Sequence, residues 1–434
     1  MHHRIFSLLA TAAIAVGAQA QPAAPAKPVV TVIHAGHLIA VLGRVRRERQ
    51  SIVIENGKIK AIENGYVSGD KVIDLTDRWV LPGFIDMHTH VSMDLDINSA
   101  NPGGSIALAY VGRPAEEVLA TIPKAQAVMR NGFTTIRNLG DPASVTYALG
   151  NAINAGIVAG PRLIASEPQF GVVGGDYDAS QFGERYELEP LMRSRGTCSG
   201  VTECVKVTRE EIRRGAGVIK LRLSAFAALD PKSKPMETPE EMRAIVDTAH
   251  RLDRRVAVHS IGNGPANQIA IEAGVDTIEH GPLSDQNIKT MKKLGTGFTP
   301  TLMAAKIAAD SPMAKEVPAL ANYYKEAVES VKKAYKAGIP IVFGTDLPVT
   351  PIARENEEFL RLHEAGLSPV DVLKSATTTA AKELGMADNL GSIAPGKAAD
   401  IVAVPDNPLA DVTQLTHVDY VMKDGKTFFD AKAK

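Results

Sequence analysis

The sequence predicts an α/β protein in which a (β/α)8 TIM barrel carries a small β-sandwich domain built from both chain ends. Three observations support this prediction. Strand-like and helix-like stretches alternate through residues 81–389, short strands with tight turns occupy both flanks, and metal-ligand residue types stand at the ends of several predicted strands.

The central region contains eight strand-then-helix units, which is the number that closes such a barrel. Strands are predicted at 81–90, 133–139, 162–167, 217–223, 255–259, 277–280, 296–302 and 340–345. Helices are predicted at 114–130, 207–214, 239–252, 265–273 and 320–337, many with a glycine where the helix stops. The barrel domain is therefore assigned to residues 81–389.

The two flanks, residues 29–80 and 390–434, have the pattern of short strands. The first flank has strands at 29–34, 51–55, 58–62 and 71–74, with Asn56-Gly57 as a hairpin turn. In the second flank, residues 391–397 lead into a strand at 400–405, and the strand at 418–423 ends in the turn Asp424-Gly425. We expect the flanks to pair into one β-sandwich around the central barrel.

The first 20 residues have the features of a secretory signal peptide. Arg4 precedes an apolar run at 5–17, and Ala18-Gln19-Ala20 is typical of a cleavage site. A membrane anchor is the alternative, but the apolar run is shorter than the ~20 residues that a bilayer span needs. We expect a secreted or periplasmic protein with no membrane span after cleavage, and a disordered lead-in at 21–28.

Charge and cysteine content restrict the partners further. The formal net charge is −1 and there is no long basic run, which argues against nucleic acid or an anionic membrane surface as a partner. Cys198 and Cys204 lie close together, and in an export compartment they form a small-loop disulfide or remain two free thiols. No neighbouring histidine or cysteine completes a metal site with them.

The active site of a (β/α)8 barrel lies at the C-terminal ends of its strands. Strand one ends in His88 and His90, which share a face because side chains alternate along a strand. The other strand-end residues are Lys220 and Arg222 on strand four, His259 on strand five, His280 on strand six and Asp346 on strand eight. Each has a structural alternative, such as a surface charge, a core-edge histidine or a turn cap. Their common placement favours a metal site.

Three further residues have a less direct relation to that site. Asp86 is expected to orient an imidazole by hydrogen bonding. His250 and His363 lie within helical patterns and are expected to be solvated.

Six motifs together resemble the amidohydrolase superfamily of metal-dependent hydrolases. They are Pro-Gly-Phe-Ile-Asp-Met-His-Thr-His (82–90), Val-Ile-Lys (218–220), Val-Ala-Val-His (256–259), Thr-Ile-Glu-His-Gly (277–281), Gly-Thr-Asp (344–346) and Gly-Ser-Ile-Ala-Pro-Gly-Lys-Ala-Ala-Asp-Ile-Val (391–402). Within that superfamily the chain resembles imidazolonepropionase-like enzymes, prolidase-type carboxypeptidases and, most of all, ochratoxin-hydrolysing amidases.

The resemblance implies a binuclear zinc centre. His88, His90 and Asp346 would hold the buried ion, and His259 and His280 would hold the second. Lys220 would bridge both ions as a carboxylated lysine. This agrees with the chemistry of the side chain, because an ammonium group has no lone pair for a metal whereas a carbamate offers two anionic oxygens.

The implied activity is hydrolysis of the amide bond of N-acyl amino acids or dipeptides, including ochratoxin-like N-acyl-phenylalanine conjugates. A metal-bridging hydroxide would attack, with Asp346 as general acid and base. The same centre would also suit lactones, cyclic imides or organophosphates. A catalytically inactive binding relative is the alternative of another class, but it predicts missing ligands and none is missing here. Relatives tend to be homo-oligomers.

The chain departs from the family pattern at two places. The segment Gly171-Val172-Val173-Gly174-Gly175-Asp176-Tyr177 lacks the histidine of a Gly-Gly-His-Gly loop, and Arg222 stands where relatives tend to have an aromatic residue or methionine. Arg222 binds a substrate carboxylate or forms a structural ion pair. Ser92 is a further candidate for substrate contact, Arg137 is interpreted as structural, and 94–110 and 171–195 are the expected lids.

Overall fold

The structure, a computed structural model, describes residues 29–40, 47–95, 113–141, 144–167, 169–173, 175, 196–223, 235–262, 264–316 and 318–433. The predicted signal peptide and lead-in, at 1–20 and 21–28, lie outside the described residues. Most of both expected lids, at 94–110 and 171–195, also lies outside them.

Strands in the described part of the chain follow the predicted order. They are β1 (Val30–Leu38), β2 (Arg47–Glu55), β3 (Lys58–Asn64), β4 (Lys71–Pro82), β5 (Phe84–Thr89), β6 (Phe133–Leu139), β7 (Arg162–Ser166), β8 (Gln169–Val172), β9 (Thr197–Cys198), β10 (Val218–Arg222), β11 (Arg255–Ile261), β12 (Thr277–Gly281), β13 (Gly297–Thr299), β14 (Ile401–Val404), β15 (Tyr420–Lys423) and β16 (Lys426–Asp430).

Helices fill the connections between the barrel strands. They are α1 (Pro114–Arg130), α2 (Val145–Asn154), α3 (Gly200–Arg214), α4 (Pro239–Arg251), α5 (Gly264–Ala273), α6 (Asp285–Leu294), α7 (Leu302–Asp310), α8 (Met313–Glu316), α9 (Pro318–Ala337), α10 (Glu357–Glu364), α11 (Pro369–Ser375) and α12 (Thr378–Glu383), with 3-10 turns at Ile352–Arg354 and Val412–Thr416. Local chemistry fixes several ends: Thr238 and Glu241 form a capping box on α4, and Gly295 ends α6 with a φ of 82°. None of the described helices is long and apolar enough to cross a membrane.

The predicted (β/α)8 barrel is confirmed, with strand three divided in two. Its first half, β7, pairs in parallel with β6, and its second half, β8, pairs in parallel with β10. Parallel pairing then continues from β10 through β11 and β12 to β13. All these strands therefore end on one side of the barrel.

The strand expected at 340–345 is an extended segment with isolated bridges instead of a regular strand. Phe298 pairs with Ile341, and Thr89 pairs with Leu347. The segment still closes the barrel through backbone hydrogen bonds. The Met87 N–H donates to the Phe343 carbonyl at 3.0 Å, and the Asp346 N–H donates to the His88 carbonyl at 2.8 Å. Within the segment the Phe343 N–H donates to the Ser375 carbonyl at 3.1 Å instead of to a neighbouring barrel strand. Asp346, directly after the segment, has a φ of 56°, outside the range of a β-strand.

Both chain ends join one seven-stranded sheet, in the order β16-β15-β14-β4-β1-β2-β3. Strand β4 holds the flanks together, because it pairs in parallel with β1 and antiparallel with β14. The two predicted hairpin turns have positive φ at both residues: 51° and 75° at Asn56-Gly57, and 47° and 73° at Asp424-Gly425. The predicted β-sandwich from both ends is therefore confirmed, and it has a hydrophobic core of its own.

Cys198 and Cys204 form a disulfide in the structure, with a Cα–Cα distance of 5.0 Å. Of the two alternatives that the sequence leaves open, the structure has the disulfide. The bridge ties β9 to the first turns of α3, on the side where the barrel strands end.

Arg162 links the barrel to the sandwich through two ion pairs. Its guanidinium lies 2.7 Å from Asp400 and 2.6 Å from Asp424, and the Asp400 side chain is only 7% exposed. Replacing Arg162 by methionine leaves the Asp400 carboxylate buried without its cation, so we expect the free energy of unfolding to fall by about 3 kcal/mol in chemical denaturation. Arg354→Met, which breaks an exposed pair with Glu357, is the control and should cost less than about 1 kcal/mol. Equal losses would show that the junction does not depend on this pair.

Candidate active site

The barrel brings six sequence-predicted residues together at the C-terminal ends of its strands. We refer to them as the strand-end cluster: His88, His90, Lys220, His259, His280 and Asp346. His88 Nε2 lies 3.3 Å from Lys220 Nζ and 3.4 Å from Asp346 Oδ1. The His280 ring lies 4.6 Å from the His88 ring and 4.5 Å from the His259 ring, between ring centroids. The cluster is therefore continuous.

One half of the strand-end cluster has the spacing of a metal site. Single ligand atoms of His88, His90 and Asp346 all lie within 4.8 Å of one another. Asp346 Oδ1 is 3.4 Å from His88 Nε2 and 3.5 Å from His90 Nε2. Two ligands that each lie about 2.0–2.1 Å from a tetrahedral zinc ion are about 3.4 Å apart, so these residues fit a metal ion.

The other half contains two histidines with unsatisfied nitrogens. The buried Nε2 atoms of His259 and His280 have no hydrogen-bond partner among the described residues. Burial, with the nearby charge of Arg222, lowers the pKa of His259, and burial with neighbouring His88 lowers the pKa of His280. Neutral rings offer lone pairs, and a buried polar atom without a partner is costly, so the pair fits a second metal ion.

Lys220 is fully buried in the middle of the strand-end cluster. Burial lowers the pKa of its ammonium to about 7, although the charges of Glu279 and Asp346 oppose the shift. A lysine in this position has a substantial unprotonated fraction near neutral pH. The free amine is the form that reacts with carbon dioxide, so the environment fits a carboxylated lysine.

Glu279 is part of the site, and the sequence analysis did not identify it. Its Oε2 lies 2.8 Å from His88 Nδ1, and neither side chain is exposed. Simple alternation along β12 would point Glu279 away from the site if His280 points into it. His280 has a φ of 76°, so the alternation breaks and both side chains reach the cluster.

Arg137, interpreted as structural, has the contacts of a buried framework residue. Its guanidinium donates to the Met87 carbonyl at 2.6 Å, to Thr277 Oγ1 at 3.0 Å and to Glu279 Oε1 at 2.7 Å. It therefore braces β5, β6 and β12 against one another beneath the strand-end cluster.

Asp141 was also missed, and a sequence signal for it exists. It follows Gly140 directly after β6, at the C-terminal end of strand two, which is the position that the predicted ligands have on their own strands. Its Oδ1 lies 3.4 Å from His90 Nδ1, while its Oδ2 accepts from Ser92 N at 2.9 Å and Ser92 Oγ at 2.7 Å. The Ser92 hydroxyl thus contacts Asp141, and a role of Ser92 in substrate binding stays a prediction.

Asp86 does not orient an imidazole, so that expectation was wrong. It accepts the His88 backbone N–H at 2.9 Å, and the Thr345 N–H and hydroxyl at 3.2 and 2.6 Å. Burial raises the pKa of Asp86 to about 7, and the bond from Thr345 opposes the shift. Asp86 instead joins the backbones of the first and last barrel strands next to their ligand residues.

Arg222 lies at the end of a barrel strand, and His250 and His363 lie in helices, as the sequence predicts. Arg222 ends β10 opposite His259 in the sheet register and is half-buried. His250 lies 2.8 Å from Asp276 with 40% of its side chain exposed, and His363 contacts the Leu367 carbonyl. Both of these histidines belong to helices outside the strand-end cluster.

Gly344 leaves space for His88. A Cβ at this position would lie 2.9 Å from the His88 Cβ and closer still to Thr299 Cγ2. We expect Gly344→Ala to displace His88, to lower the metal content, and to cost about 1–3 kcal/mol of stability by overpacking. Zinc analysis and thermal unfolding would measure both. Gly264→Ala is the control, because its Cβ would meet only Ser284 Cβ at 3.9 Å; an unchanged metal content in Gly344→Ala would contradict the prediction.

Sequence comparisons relate the whole fold to known hydrolases. An amidohydrolase family model matches residues 79–428. The chain is 29% identical to ochratoxinase of Aspergillus niger, over 92% of this chain and 86% of that protein. It is 25% identical to imidazolonepropionase of Fusobacterium nucleatum subsp. nucleatum, over 87% of this chain and 91% of that protein.

Solved structures give a consistent result. A Xaa-Pro dipeptidase with methionine bound in its active site has a TM-score of 0.81 and 32% identity, covering 92% of this chain and 99% of that chain. Ochratoxinase of A. niger has a TM-score of 0.77 and 24% identity, covering 94% of this chain and 97% of that chain, and this second likeness establishes a shared fold.

Proposed function

Because the chain belongs to the amidohydrolase family, we propose that it is a secreted or periplasmic zinc-dependent hydrolase of amide bonds. The strand-end cluster is the main support for this proposal, because its spacing and unsatisfied nitrogens fit metal ions. N-acyl amino acids or dipeptides are the proposed substrates, including ochratoxin-like N-acyl-phenylalanine conjugates. Similarity to an ochratoxinase and to a Xaa-Pro dipeptidase supports this choice. The N-terminal sequence supports export, and a homo-oligomer remains a prediction.

Two zinc ions are proposed. His88, His90 and Asp346 would hold one ion, and His259 and His280 would hold the other, with Lys220 between them as a carbamate. When bound, the ions would polarise the scissile carbonyl and lower the pKa of a water molecule towards neutrality.

Asp346 is the residue proposed to move the proton. Burial raises the pKa of its carboxyl, while the charges of His90, Lys220 and Arg222 oppose the rise. A carboxylate in this state can take the proton of the attacking water and deliver it to the leaving amine. An amine leaves far more readily once protonated, so the two transfers by one group account for both halves of the reaction.

Arg222 is proposed to bind the substrate carboxylate. It lies two residues beyond Lys220 on the same strand, so its side chain is on the same face. Its planar guanidinium suits a carboxylate through two parallel hydrogen bonds. This contact would select substrates with a free carboxylate beside the scissile amide, as in N-acyl amino acids and dipeptides.

Replacing Arg222 by methionine should raise KM for carboxylate-bearing substrates by about 10- to 100-fold, the effect of losing hydrogen bonds to a charged group. KM for the corresponding substrate amides should change little. Arg222→Lys keeps the positive charge but loses the planar guanidinium with its two parallel donors. Its KM for carboxylate-bearing substrates should lie between those of the wild type and Arg222→Met. Steady-state kinetics on matched acid and amide substrates would measure this, and equal effects on both would indicate a structural ion pair instead.

A substrate panel tests the proposed function. Purified, zinc-loaded protein would be assayed on N-acyl amino acids, dipeptides, a lactone, a cyclic imide and a phosphotriester. We expect preferential release of the amino acid from the N-acyl conjugates and dipeptides. Preferred turnover of the lactone, imide or phosphotriester would favour the alternative hydrolase classes, and no turnover of any of them by zinc-loaded protein would favour an inactive binding relative.

A further inference from the structure

We propose that Glu279 is a positioning residue that holds His88 in the one ring tautomer able to bind a metal ion through Nε2. The inference rests on the proposed metal centre. It assigns a role to a residue whose two oxygens already have protein partners, so Glu279 would act through His88 rather than as a ligand.

A chain of buried contacts runs from Arg137 through Glu279 to His88. Arg137 Nη2 donates to Glu279 Oε1 at 2.7 Å, and Thr277 Oγ1 donates to the same oxygen. The other oxygen, Oε2, lies 2.8 Å from His88 Nδ1. The Glu279 and His88 side chains are not exposed at all, and that of Arg137 is 1% exposed. Protein groups alone therefore determine the direction of each hydrogen bond.

The chemistry of Arg137 fixes that direction. A guanidinium can only donate, so Nη1 donates to Thr277 Oγ1 at 3.0 Å and the threonine proton is free to point at Glu279. An ionised carboxylate paired with arginine can only accept, so His88 must donate from Nδ1. A metal-binding imidazole carries one N–H, and the lone pair is therefore on Nε2. That atom faces Asp346 Oδ1 at 3.4 Å, inside the proposed metal site.

The contacts of two neighbouring histidines, His280 and His90, restrict the ring tautomer less strictly. His280 Nδ1 lies 2.8 Å from the Thr301 hydroxyl, which can donate or accept and so permits either tautomer. His90 Nδ1 lies 3.4 Å from Asp141, longer than an ordinary hydrogen bond to a carboxylate. Among these three histidines, His88 is thus the one on which loss of the Nδ1 partner should have the largest effect.

Glu279→Gln is the direct test. The amide keeps the size of the side chain but replaces one acceptor by an NH2 group. Whichever way the amide lies, that NH2 faces either the Arg137 and Thr277 donors or the N–H of His88. Zinc affinity, measured by competition with a chelator, should fall by about 10- to 100-fold.

Asp276→Asn is the matched control. Asp276 is also buried, and like Glu279 it pairs with an arginine and a histidine: Arg255 contacts its Oδ1, and its Oδ2 lies 2.8 Å from His250 Nε2. The same kind of substitution there perturbs a buried carboxylate between an arginine and a histidine, away from the strand-end cluster. Its zinc affinity should match that of the wild type, and thermal unfolding of both metal-free variants would compare their losses of stability.

A spectroscopic measurement separates positioning from a merely structural role. Ring-15N-labelled histidine in metal-free wild-type protein should show His88 as the Nδ1–H tautomer, with its signal assigned from His88→Asn. In Glu279→Gln the signal should move towards the Nε2–H tautomer. An unchanged tautomer would overturn the proposal.

Thr277→Val covers the case in which Glu279→Gln does not fold. It removes one donor to Glu279, and zinc affinity should fall by about fivefold, the effect of one lost hydrogen bond. If Thr277→Val or folded Glu279→Gln binds zinc with wild-type affinity, the proposed role of Glu279 is overturned while the proposed function stands. Wild-type protein that binds no zinc in the same titration would instead overturn the proposed function together with this inference.

Discussion

Replacing Asp346 by asparagine is expected to lower kcat for amide hydrolysis by about 10²- to 10⁴-fold, the usual contribution of a general acid–base group. Asparagine keeps the shape and one oxygen that could face the histidines, but it cannot take up a proton near neutral pH. Asp346 Oδ1 lies within 3.5 Å of both His88 and His90, so the substitution acts where the proposed chemistry takes place. Steady-state kinetics at saturating substrate would measure the effect.

Metal content must be measured in the same Asp346→Asn preparation. If the variant still binds zinc after reconstitution, the loss of activity belongs to proton transfer. Asp276→Asn is a useful control, because Asp276 is a buried aspartate that pairs with His250 and Arg255 away from the strand-end cluster. If zinc-loaded Asp346→Asn has the kcat of the wild type, Asp346 does not carry the proton.

Lys220→Met is expected to abolish binding of one or both zinc ions and to lower activity by at least about 10²-fold. Metal assistance supplies several kcal/mol of transition-state stabilisation, and each 1.4 kcal/mol corresponds to about tenfold in rate. Methionine matches the length and burial of the lysine chain but cannot become a carbamate. Elemental analysis and kinetics on one preparation would measure both effects.

Bicarbonate provides the control for the carbamate. Its presence during zinc reconstitution should raise the metal content of the wild type and leave Lys220→Met unchanged. Lys220→Met that retains two zinc ions and wild-type activity would show that Lys220 is not a bridging ligand.

The strand-end residues could be predicted because a parallel barrel collects the ends of all its strands on one side. The hydrophobic pattern locates the strands, and their common direction brings His259, His280 and Asp346 to the same end as His88 and His90. His88 and Asp346 meet there although 258 positions separate them in the sequence. No side-chain geometry was needed for that inference.

Glu279 could not be placed in the same way. Strict alternation along β12 places the Glu279 side chain on the face opposite His280, but the backbone at His280 breaks this alternation with a positive φ. Thr301 and Asp346, with φ of 47° and 56°, have the same uncommon conformation. Such conformations concentrate at functional sites, where the surrounding contacts hold the backbone in place, and they leave no trace in a hydrophobic pattern.

The full length of strand β4 could not be predicted from apolar alternation either. The sequence predicts a strand at 71–74, whereas β4 extends over Lys71–Pro82. The polar run Thr76-Asp77-Arg78 interrupts the apolar alternation, and the register with β1 shifts there. Gly36 permits the shift, since a Cβ at that position would overlap the Thr76 carbonyl oxygen.

We propose that the strand-end cluster binds two zinc ions and that the hydrolysis requires them. The most direct measurement is elemental analysis of the purified protein together with amide hydrolysis before chelation, after chelation and after zinc is restored. About two zinc ions per chain, with activity lost on chelation and recovered with zinc, is the expected result. Protein that hydrolyses the amide at an unchanged rate without metal, or that binds zinc equally well when His259 and Asp346 are both replaced by asparagine, would contradict it.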